Sequence, residues 1–94
     1  MYNKQVTIIN KTGLHARPAS LFVREAGKFE SDITIYKLDE DGNEAKSCPA
    51  KSIVFLLTMG LAKGTRIELS AQGADEKEAV DTLAALIESG FGEL

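Results

Sequence analysis

The chain has 94 residues, 44% of them hydrophobic and 27% charged, a balance that suits one globular domain over residues 1–94 and leaves no length for a second. A core of this size holds without staples but cannot also enclose a deep substrate cavity, so the chemistry is expected on the surface. With 11 Lys and Arg against 14 Asp and Glu, the net charge of −3 gives no general attraction to nucleic acid or anionic lipid. The lone cysteine, Cys48, has no internal partner, and the stretch from Met1 to Gln5 lacks the basic and apolar regions of a secretion signal. A monomer in the reducing cytoplasm is the expectation, with no membrane insertion, because the apolar run from Ile53 to Leu57 is far too short to cross a bilayer.

The first predicted element is a strand in which Val6 and Ile8 alternate with Thr7. A helix follows over about Ala16–Lys28, with Ala19, Val23 and Ala26 on its inner face and Pro18 tolerated in its first turn. Ile33 and Ile35, alternating with Thr34 and Tyr36, predict a second strand. The acidic, turn-rich stretch from Asp39 to Glu44 suits an exposed hairpin, and Pro49 restricts the next strand to an edge or a strand end.

A short helix behind Ser52, a strand through Ile67, Leu69 and Ala71, and a last helix complete the series. The last helix is expected to open at Asp75, with the Asp75 side chain capping free amides and Glu78 reaching back. It should bury Val80, Leu83 and Ile87 and stop at Gly90. The order βαββαβα implies a two-layer α+β domain.

The only histidine, His15, falls where the first strand gives way to the first helix, inside Gly13-Leu14-His15-Ala16-Arg17-Pro18. Unpaired amides and the positive end of the helix dipole surround that position, and a neutral imidazole offers a nucleophilic nitrogen near pH 7. Arg17, in the first turn, adds a planar fork of donors for phosphoryl oxygens, and Gly13 allows a tight turn. On the residues alone, His15 serves equally well as a helix-capping or packing side chain.

The segment from Ser52 to Leu61 opens on a preferred capping residue and is then apolar nearly all round. A short helix on a sheet buries one stripe, so some of Ile53, Val54, Phe55 and Leu57 must stay exposed as a docking surface. Ser52 itself is equally at home as an ordinary cap. Ser47 also follows a lysine but has no apolar helix behind it.

These residues resemble the HPr family, the histidine phosphocarriers of the bacterial phosphoenolpyruvate:sugar phosphotransferase system. The resemblance is carried by Gln5-Val6-Thr7-Ile8, the Gly13–Ala19 motif, Lys51-Ser52-Ile53, Met59-Gly60-Leu61-Ala62-Lys63-Gly64-Thr65 and Ser70-Ala71-Gln72-Gly73-Ala74-Asp75-Glu76. It implies an open-faced sandwich, a four-stranded antiparallel sheet with three helices on one face. It also implies a carrier rather than an autonomous enzyme: His15 accepts phosphate from enzyme I and donates it to IIA components of sugar permeases, with Arg17 stabilising the group and no cofactor or metal. Ile53, Val54 and Leu57 match the positions that meet these partners.

Ser52 matches a serine modified by HPr kinase/phosphorylase in relatives that then act with a catabolite-control transcription factor. The family regulator devoted to that task lacks the histidine, so His15 argues for carrier activity at least in addition. A carrier for a nitrogen-related or dihydroxyacetone-related branch is the remaining alternative. The sequence departs from the usual pattern in a longer hairpin over Asp39–Pro49 and in Phe55, which stands where the family has a small or polar residue.

Overall fold

Period-two burial builds the sheet. Residues 1–93 are described by the computed structural model, and they form β1 (Tyr2–Thr7), α1 (Ala16–Ala26), β2 (Asp32–Leu38), β3 (Glu44–Pro49), α2 (Ile53–Leu57), β4 (Arg66–Gln72) and α3 (Glu76–Glu88). Val6 in β1, Ile33 and Ile35 in β2, and Ile67, Leu69 and Ala71 in β4 all point into the core, as alternation requires. The strands lie in the order β1-β4-β2-β3, every neighbouring pair antiparallel, with Val6 opposite Ile67 and Ile35 opposite both Leu69 and Cys48. The three helices cover the apolar face of this sheet, giving the expected open-faced α+β sandwich.

β3 is an edge strand and ends on Pro49, the residue that cannot donate to a ladder. Its hairpin to β2 turns at Asp39, whose Oδ1 accepts from Asp41 N at 2.9 Å and Asn43 N at 2.8 Å, with Gly42 at φ +84.

The expectations for α1 and α3 need correcting. The inner face of α1 is Pro18, Ala19, Phe22 and Ala26, while Val23 is only half-buried, so the helix buries the larger aromatic side chain in preference to the β-branched one. α1 also ends at Ala26, because Gly27 and Lys28 donate back to Val23 O and Glu25 O in a closing turn. α2 is the short helix expected behind Ser52, five residues long: Thr58 Oγ1 donates to Phe55 O at 2.7 Å, and Gly60 turns left-handed at φ +66.

The remaining correction concerns α3. Asp75 stands at its capping position without capping it, since the carboxylate accepts instead from Glu30 N (2.9 Å), Ser31 N (3.0 Å) and the Ser31 hydroxyl. The carboxylate that reaches back is Glu76, accepting from Gly73 N at 3.2 Å. Val80, Leu83 and Ile87 are buried as expected, and Gly90 at φ +69 follows the helix end.

Candidate functional site

The loop between β1 and α1 is held from several sides, and His15 is its last residue. Ile8 N donates to Thr65 O at 2.9 Å, Gly64 N to Ile8 O at 2.7 Å and Leu14 N to Leu61 O at 2.9 Å, so the loop is stitched to the segment leading from α2 into β4. Gly13 sits at φ +67, and a Cβ there would stand 2.3 Å from Leu61 O, so both conformation and space demand glycine. Asn10, wholly buried, donates from Nδ2 to Gly13 O at 2.9 Å; its Oδ1 has no partner among the described residues.

His15 occupies the capping position of α1 in extended conformation (φ −132, ψ 161), yet its side chain makes no capping hydrogen bond. The ring is half-buried, neither sealed in the core nor committed to the helix. That removes the plain capping role for His15. The amides of Ala16 and Arg17 begin the helix, and Pro18, buried at the third position, brings no donor of its own. Ala16 has φ +52, a left-handed conformation that costs an L-residue about 1–2 kcal/mol. Arg17, next in the same turn, is exposed and stands in no salt bridge among the described residues. A half-exposed ring, a free guanidinium and helix amides therefore share one turn of chain, the set that accommodates a compact dianion.

The apolar patch lies beyond Leu61. Val54, Phe55 and Leu57 are 68%, 57% and 44% exposed, while Leu56 is buried and Ile53 half-buried. Ser52 caps α2, its Oγ accepting from Phe55 N at 3.4 Å. Because α2 packs against α1 and runs through Met59 and Gly60 to the Leu61 carbonyl that holds Leu14, the patch and the His15 loop are mechanically joined. Among the described residues there is no group of three His, Cys, Asp or Glu able to hold a metal, and no helix is long and apolar enough to cross a membrane. Cys48 is buried, and burial pushes its thiol up, which makes it a poor nucleophile.

The profile of the PTS HPr component phosphorylation-site family matches residues 2–89. The chain belongs to the HPr family. It is 48% identical over 88 residues to the phosphocarrier protein HPr of Vibrio cholerae, covering 94% of this chain and 96% of that one. It is 46% identical, again over 88 residues and the same shares of each chain, to the HPr-like protein Crh of Bacillus subtilis. The crystal structure of HPr-C-His from Thermoanaerobacter tengcongensis superposes with a TM-score of 0.88 at 47% identity, covering all of this chain and 99% of that one.

Several HPr-site features escape the sequence. The backing of the loop by Asn10, Thr12 and Glu93 involves partners 81 to 83 residues apart, which no local pattern reveals. The left-handed Ala16 is equally invisible, because alanine is the residue least expected to signal such a conformation.

Proposed function

We propose that this chain, acting as one HPr-like monomeric unit over residues 1–94 in the cytoplasm, accepts a phosphoryl group on His15 from phosphorylated enzyme I and passes it to IIA components of sugar permeases. The observation that carries this reading is the imidazole standing at the start of α1 with no hydrogen bond to the helix it precedes. A neutral ring nitrogen attacks the phosphorus of the donor's phosphohistidine. The new N–P bond forms as the donor's N–P bond breaks, and the donor imidazole departs with the electron pair. The same steps run in reverse sense toward the acceptor.

Arg17 and the first-turn amides meet the phosphoryl oxygens, so charge is matched without a metal or cofactor. Ile53, Val54 and Leu57, with Phe55 among them, supply the apolar docking face beside the site; exposure of Val54 and Leu57 supports this. Incubation with enzyme I, Mg²⁺ and labelled phosphoenolpyruvate should give an acid-labile phosphoprotein. Label persisting undiminished in His15→Ala would overturn the assignment.

A second reading concerns Ser52, whose half-exposed hydroxyl borders the apolar patch, and it is favoured by the likeness to Crh. Phosphorylation there by an HPr kinase/phosphorylase would add nearly two negative charges beside the docking face, deterring one partner and suiting a catabolite-control transcription factor. Kinase and ATP should modify Ser52, and Ser52→Ala should abolish the modification while leaving labelling by enzyme I intact.

A further inference from the structure

The segment behind α3 folds back onto the His15 loop. Ser89 donates to Leu86 O at 2.6 Å and accepts from Phe91 N at 3.3 Å, and Gly90, Phe91 and Gly92 all adopt left-handed φ values of 69°, 55° and 78°. Such a conformation is unfavourable for Phe91, and burial of its ring in the core offsets the cost. The bend delivers Glu93 to the loop. Its Oε1 accepts from Asn10 Nδ2 at 2.9 Å, Thr12 Oγ1 at 2.9 Å and Thr12 N at 3.4 Å, and its Oε2 lies 3.1 Å from Thr12 Oγ1. Since Asn10 also holds Gly13 O, one carboxylate braces the turn that sets the direction of His15.

We propose that Glu93 is a positioning residue for phosphoryl transfer: it orders the Asn10–Gly13 turn, and its charge, held against that turn, disfavours a second anion on His15 and keeps the phosphoryl group easy to donate. The inference rests on His15 being the phosphoryl carrier. Hydrogen bonds from Asn10 and Thr12, with a smaller contribution from the charge of Arg17, hold the Glu93 carboxyl below the usual carboxylate range. The group is therefore anionic when a phosphoryl dianion arrives at the neighbouring His15.

The test measures the equilibrium constant for phosphoryl exchange with enzyme I for the wild-type chain, Glu93→Gln and Glu93→Asp at low ionic strength. Glu93→Gln, which keeps an acceptor for the loop and loses the charge, should shift exchange toward the phosphorylated chain roughly two- to fivefold, the scale of an exposed charge pair. Glu93→Asp should stay near wild type, and added salt should shrink the difference. An independent reading is the Thr12 amide in proton–nitrogen spectra, which should titrate below the usual carboxylate range in the wild type and not in Glu93→Gln.

Equal exchange constants for wild type and Glu93→Gln, or a Thr12 amide blind to acid, would overturn the proposal while leaving the carrier assignment standing. A wild-type chain that takes no label would bring both down.

Discussion

α1 and α3 each begin behind a turn with a polar side chain at the capping position, and the two starts are used in opposite ways. At α3 the Asp75 carboxylate is fully engaged, tying the 30–31 turn to the helix start through Glu30 N, Ser31 N and the Ser31 hydroxyl. At α1 the His15 ring makes no capping hydrogen bond, and the next residue is strained. The α3 start commits its polar atoms to neighbouring chain, whereas the α1 start leaves its side chain uncommitted and carries local strain.

Reversing the commitment at α1 should have the largest effect. His15→Asp replaces a non-capping ring by a preferred cap, so stability should rise by about 0.5–1 kcal/mol in denaturant unfolding while labelling by enzyme I falls by at least about 10³-fold. Arg17→Ala should lower kcat/KM for transfer by roughly 10²-fold with an unchanged unfolding midpoint, as expected for removal of one donor to a developing charge.

Asp75→Asn should do the converse, lowering the thermal midpoint by several degrees without altering transfer. Here pH sharpens the comparison. Hydrogen bonds from Ser31 and then Glu30 hold the Asp75 carboxyl below its ordinary value of 3.8. A depressed folded-state value means the stabilisation is present above the unfolded-state value and is lost as pH falls through the folded one. The acid-side loss of stability should therefore be shallower in Asp75→Asn, whereas His15→Asp, whose added stability comes from a carboxylate cap, should steepen that limb of the curve. The smallest effect is expected at Ser52, an intermediate case whose single capping bond is long. Ser52→Ala should cost at most about 1 kcal/mol by chemical unfolding, with phosphorylation at His15 unaffected.

The strands and the position of His15 were legible in the sequence because both follow from local rules: alternation for β1, β2 and β4, and a helix start immediately after the Gly13 turn. Ser52 as a cap and the exposure of Val54, Phe55 and Leu57 were legible for the same reason. What failed to show was decided by distant partners. Asp75 reads as a cap until the amides of Glu30 and Ser31, 45 and 44 residues away, are placed beside it. Phe22 displaces Val23 from the inner face of α1 only once the helix's rotation against the sheet is known.

The free edge at β3 has a consequence for how this protein lives among its neighbours. Glu44 and Lys46 line it, the strand is short, and Pro49 closes it without a donor, so a second sheet meeting this border finds charge and a gap in the ladder. On the opposite border, Tyr2 and Lys4 are drawn toward Asp81 of α3 by contacts of 2.9 and 3.5 Å. Both borders of the sheet are thereby guarded against the sideways zippering that joins one sheet to the next.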